Sequence, residues 1–150
     1  MIRIACALLA AGCVEPTGVK PPVDAPAVMS QESPVSTFAT DPSRRTVYIR
    51  FAGLQDEGRE PIHALIRRMF ESADAVSADR LIVDLRAISG ADTKVIVPLL
   101  RGIMTRQRFL RDGGLYVLIG PDSYAPSQSA AALLSHYAKP IFVERLQWSF

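Results

Sequence analysis

Apolar and polar positions alternate along this chain in patterns that change period several times. Thr46-Val47-Tyr48-Ile49-Arg50-Phe51 is short, β-branched and aromatic, which predicts a strand. After Pro61, residues Ile62, Leu65, Ile66, Met69 and Phe70 recur at the helical period, with Arg67, Arg68 and Glu71 on the opposite side. Pro61 suits the first turn of that helix. Leu81-Ile82-Val83-Asp84-Leu85 is a compact apolar run and predicts a strand buried on both faces. Residues 93–107 read as a helix with Val95, Ile96, Leu99, Leu100, Ile103 and Met104 inward. Asp112-Gly113-Gly114 marks a turn, and Leu115-Tyr116-Val117-Leu118-Ile119 a second buried strand. A helix over 127–137 and a last short strand, Pro140-Ile141-Phe142-Val143, complete the series.

The order is β-α-β-α-β-α-β. Repeated strand-helix-strand units require a mostly parallel α/β sheet with right-handed crossovers. In such sheets, sites form beyond the carboxyl ends of the strands. Attention therefore falls on the loops at 86–92 and 120–129.

Composition narrows the picture. Of 150 residues, 49% are hydrophobic and 21% charged, which excludes wholesale disorder. Seventeen basic and fifteen acidic residues leave a net charge of +2, with no nucleic-acid footprint. Cys6 and Cys13 both lie near the start, so the body has neither a disulfide framework nor a cysteine zinc site. His63 and His136 are too few for a histidine metal site, and no cofactor is expected. No apolar run approaches the length of about 18 residues that a membrane-spanning helix needs.

Six of the eleven prolines fall between Pro16 and Pro42, in a stretch without helical or strand period. The expected organisation is a signal segment at 1–12, a Pro/Ser-rich tether at 13–43, a folded body at 44–145 and a tail at 146–150. At the start, Arg3 precedes an uncharged run and then Leu8-Leu9-Ala10-Ala11-Gly12-Cys13. This resembles the bacterial lipoprotein signal, in which cleavage precedes the cysteine and the thiol takes lipid. The resemblance implies lipidation of Cys13 and a membrane-anchored domain facing the periplasm or the exterior.

The body carries a second resemblance. Asp79-Arg80-Leu81-Ile82-Val83-Asp84-Leu85-Arg86, then Gly114-Leu115-Tyr116-Val117-Leu118-Ile119-Gly120, then Ile141-Phe142-Val143-Glu144 follow in the spacing of the tail-specific, or C-terminal-processing, serine peptidases. Val47 to Phe51 and Arg68-Met69-Phe70 also match, so the likeness covers about one hundred residues. It implies a fold of Clp-protease/crotonase type, and a partner that is an extended peptide or a protein C-terminus.

The chemistry of that family does not transfer. Its pattern places Asp122-Ser123-Tyr124-Ala125-Pro126 on the nucleophile turn, so Ala125 stands where the serine hydroxyl belongs. Pro126 follows, without the N–H that would bind an oxyanion. The oxyanion loop reads Ser89-Gly90-Ala91, with one glycine of several. The family's base lysine lies beyond the last strand, where this sequence has none before Phe150. A four-residue shift of register makes Ser129 the nucleophile with the Ala130 N–H as donor. His136 then lies two helical turns away, about 10 Å along the axis, outside hydrogen-bond reach. Ser127 reads as a helix N-cap. Asp84 is expected to bind a backbone N–H or Arg86. Arg106, Arg108 and Arg111 are expected to form a solvated helix end that complements the dipole.

The favoured expectation is a peptidase-like domain without catalysis that accepts an extended chain at an open sheet edge. An alternative is a STAS-type regulatory domain. Asp84-Leu85, Asp92-Thr93 and Gly113-Gly114 resemble that family's layout, which makes Thr93 a phosphorylation candidate. A third reading is an active serine peptidase through Ser129.

Overall fold

The computed structural model describes residues 35–52, 60–88, 96–120 and 125–144. They form five strands and four helices: β1 (Thr37–Asp41), β2 (Thr46–Arg50), α1 (Ile62–Ala75), β3 (Arg80–Asp84), α2 (Ile96–Met104), α3 (Gln107–Leu110), β4 (Leu115–Ile119), α4 (Ala125–Tyr137) and β5 (Ile141–Glu144). The strands make one sheet whose spatial order is their chain order. β1 and β2 are antiparallel, and β2 through β5 are parallel. The α/β class and the mostly parallel sheet expected from the sequence are both present.

Strand β1 corrects the expected tether, because residues 37–41 belong to the sheet. They pair with β2 from Thr37 opposite Arg50 to Asp41 opposite Thr46. The connecting turn is closed by the Arg45 N–H donating to Pro42 O at 3.2 Å. The Ser43 hydroxyl and the Arg44 N–H both donate to Asp41 Oδ1, at 2.6 and 3.1 Å. Pro42 is thus a hairpin residue, although by composition it groups with the linker prolines before it. Arg45 takes the left-handed backbone there, at φ 51°.

Because strand order follows chain order, crossovers of one hand place every helix on the same face. α1 accordingly touches α2, and α2 touches α4. The register explains the core. Val47, Leu81 and Leu115 form one row across the sheet and Ile49, Val83 and Val117 the next, all 0% exposed. Ile66, Met69, Phe70, Leu99 and Ile103 cover these rows from the helices. Each such side chain contributes about 1.5–3 kcal/mol relative to exposure. Alternate residues face the other way. Tyr48, Ile82, Tyr116 and Ile141 make a row on the face that no described helix covers.

The helix expected over 93–107 is divided within its described part. α2 stops at Met104 because its terminal carbonyl groups are captured locally. The Thr105 hydroxyl and Arg106 Nη1 each donate to Gly102 O at 3.0 Å, and the Arg106 N–H donates to Ile103 O at 2.9 Å. The break turns the arginines back onto α1. Arg106 binds Asp74 through Nε (3.0 Å) and Nη2 (2.6 Å), and Arg108 Nη2 binds the same carboxylate. The Arg106 guanidinium lies 4.5 Å from the Phe70 ring centre. These two arginines therefore clamp α1 to the α2–α3 elbow instead of forming the expected solvated helix end.

The clamp has a pH signature. Hydrogen bonds from Arg106, helped by those from Arg108 against the opposing effect of burial, hold the Asp74 carboxyl down at about 2 against its ordinary 3.8. A depressed folded-state pKa contributes stability above the ordinary value and loses it as pH falls through the folded one. Asp74→Asn is therefore expected to flatten the stability profile between about pH 4 and pH 2. Asp74 is nearly half exposed, so the loss at neutral pH is at most about 1 kcal/mol. Urea titrations of both proteins across that range check this.

Candidate functional site

The carboxyl ends of β2, β3 and β4 lie side by side. The Phe51 N–H donates to Asp84 O (3.1 Å) and the Leu85 N–H to Leu118 O (3.0 Å), which carries the pairing one step past the strands. Asp84 sits at this rim, 1% exposed. Its Oδ1 accepts from the Arg86 N–H (3.0 Å) and Arg86 Nε (2.9 Å). Its Oδ2 accepts from Arg86 Nη2 (2.6 Å) and from the Tyr48 hydroxyl. The partners expected for Asp84, a backbone N–H and Arg86, are both there. Tyr48 could not be assigned from sequence, since its side chain reaches Asp84 only through the parallel β2–β3 register. Arg50, 3% exposed, is the register partner of Asp84.

This arrangement holds charge and does not move protons. Burial alone would raise the Asp84 carboxyl, but hydrogen bonds from Arg86 and Tyr48 outweigh it and hold the group below its usual range. Burial, then the hydrogen bond to Asp84, pushes the Tyr48 phenol well above its ordinary value. The bond to Asp84 likewise raises Arg86. All three keep one protonation state near neutral pH. Four hydrogen bonds occupy both carboxylate oxygens, leaving Asp84 no role as a general base.

α4 closes the rim from the other side. It begins at Ala125, earlier than the expected start near 127. Ser127 is consequently inside the helix and is not the N-cap. Its buried hydroxyl donates to Leu85 O at 3.1 Å, fastening α4 to the exit of β3. Ala125 and Pro126 are the first two described residues of α4. Only the first four N–H groups of a helix lack an internal acceptor. Pro126 has no N–H to offer, and Ala130 lies beyond those four.

The other expected site residues fall as follows. Ser129 is on the exposed side of α4, and Ala130 faces the core. His136 is exposed and packs edge-on against Tyr137, with ring centres 4.7 Å apart. No described histidine, lysine or carboxylate is hydrogen-bonded to Ser129. Ser89, Gly90, Ala91, Thr93 and Cys13 lie outside the described residues, as do Asp122 to Tyr124. Among the described residues, no three His, Cys, Asp or Glu side chains gather as metal ligands. No described helix is long and apolar enough to cross a membrane.

Beside this rim, β5 forms one edge of the sheet. β5 pairs with β4 on one side, and no described strand pairs with its other side. Ile141 and Phe142 are 44% and 41% exposed there. The sequence matches no family model and no curated protein.

Proposed function

We propose that this chain is a tail-specific-peptidase-like domain without catalysis, tethered to the bacterial envelope through lipid on Cys13, that binds an extended peptide along β5. The observation that supports the loss of catalysis most directly is the pair Ala125-Pro126 inside α4. Acyl transfer needs a nucleophile, a base and donors for the oxyanion. At the residues that the family resemblance assigns to nucleophile and donor, this chain has a methyl group and an imino acid. The one serine that could substitute, Ser129, is exposed and has no described base.

Peptide binding rests on the edge strand. An extended chain gains main-chain hydrogen bonds along an open strand, with side-chain contacts adding specificity. β5 offers such an edge, with exposed apolar side chains at Ile141 and Phe142.

The test pairs a fluorophosphonate probe with a fluorescent peptide ending in a free carboxylate. Expected are no covalent adduct on the protein and saturable peptide anisotropy that Phe142→Pro abolishes, since the register turns the Phe142 N–H away from β4 and proline removes that edge donor. A fluorophosphonate adduct lost in Ser129→Ala would overturn the inert reading. Peptide affinity unchanged in Phe142→Pro would overturn the edge assignment.

A further inference from the structure

The opposite end of the sheet carries a second collection of polar groups. A cleft of about 240 Å³ opens at the amino ends of β3 and β4, between the start of β3 and the α3–β4 connection. Asp79 and Arg80 form one wall; Arg108, Arg111 and the Asp112-Gly113-Gly114 turn form the other.

The walls are fixed by the backbone. Arg45 O accepts from the Asp79 N–H (2.9 Å) and the Arg80 N–H (3.3 Å). The Leu81 N–H donates to Gly114 O at 2.8 Å, and the Gly114 N–H to Arg111 O at 2.9 Å. Gly114 lets the walls come this close, since a Cβ there would lie 2.5 Å from Arg108 O. Gly113 supplies the left-handed turn, at φ 74°.

Charge in the cleft is unevenly satisfied. Arg108 is committed to Asp74, and Asp79 Oδ2 lies 3.6 Å from Arg45 Nε. Arg80, Arg111 and Asp112 form no ion pair with one another or with any other described residue. Two buried atoms of the same walls, Asp79 Oδ1 and Arg108 Nε, also have no hydrogen-bond partner. Arg80, Arg111 and Asp112 thus line one small cleft without pairing with each other. An arginine fork suits a carboxylate, and Asp112 suits an ammonium group.

We propose that this cleft binds a small zwitterion of the amino-acid class, its carboxylate on Arg80 and Arg111 and its ammonium on Asp112. The site is separate from the β5 edge and does not depend on the peptide-binding reading.

The probe is glycine, the smallest such zwitterion, with acetate and methylammonium as its two halves. Amide and arginine Nε resonances of the full chain are followed by NMR at constant ionic strength. Expected are saturable shifts confined to Gly113, Gly114, Arg80 and Arg111 with glycine, and weaker binding of either half. Arg80→Gln and Asp112→Asn change exposed side chains, so an unaltered melting temperature verifies the fold. Each is expected to weaken glycine about tenfold, the loss of one charge-assisted hydrogen bond. Acetate binding as well as glycine, the absence of a saturable local shift, or undiminished affinity in both variants would each overturn the proposal.

Discussion

Gly102→Ala is expected to destabilise the fold by about 2 kcal/mol, the range of overpacked cores, and to lower the melting temperature by about 10 °C for a domain of this size. An exposed helical glycine changed to alanine would gain nearly 1 kcal/mol from propensity, so the expected sign is opposite to the usual one. The cause is where α2 crosses α1. A Cβ at residue 102 would lie 2.0 Å from Phe70 Cε2 and 2.5 Å from two further atoms of that ring. Phe70 cannot yield easily. It is 4% exposed, its ring centre is 6.3 Å from that of Phe109, and the Arg106 guanidinium covers it. Moving the ring therefore disturbs the Asp74 clamp as well. Thermal unfolding followed by circular dichroism measures the change. Phe70→Leu in the Gly102→Ala background is expected to recover part of the loss, because it removes the obstructing ring atoms.

The second large effect is at the strand rim. Asp84→Ala is expected to cost about 3 kcal/mol, because removing one partner of a buried pair leaves the other without its counter-charge. Here the orphaned groups are the Arg86 guanidinium, 22% exposed, and the buried Tyr48 hydroxyl. Arg86→Ala leaves a buried carboxylate and is expected to cost a similar amount. The double variant should cost less than the two single ones added, since each removes the same interaction. Urea denaturation of the four proteins closes the cycle. The depressed Asp84 carboxyl adds a pH dependence whose sign follows from linkage. Its contribution is complete above the ordinary carboxylate range and is lost as pH falls through the lower folded-state value. Asp84→Ala should therefore lose stability at neutral pH and change less on acidification.

Much of this molecule was legible in the residues because burial is periodic. Leu81 to Leu85 and Leu115 to Ile119 read as strands since both of their faces are at least partly covered. The stripe from Ile62 to Phe70 read as a helix since one side meets the sheet. What escaped was decided by neighbours remote in sequence or by single hydrogen bonds. β1 has no apolar period of its own, because as an edge strand it is half-buried at every position. The division of α2 from α3 depends on Thr105 and Arg106 reaching back to one carbonyl. Position alone makes Ser127 an N-cap, yet its hydroxyl serves Leu85, forty-two residues earlier. At the rim, Asp84 with Arg86 could be read from their adjacency, whereas Tyr48 entered only with the register.

The agreement of spatial order with chain order also bears on how the polypeptide is assembled. Every strand after the first is laid against the one just completed, and no later segment must be threaded between two earlier ones. A ribosome releasing this chain from its amino end could therefore add the sheet one ribbon at a time, β1 first and β5 last. Each intermediate would expose one growing border opposite the fixed edge at β1, and among the described residues β5 is the last ribbon laid down.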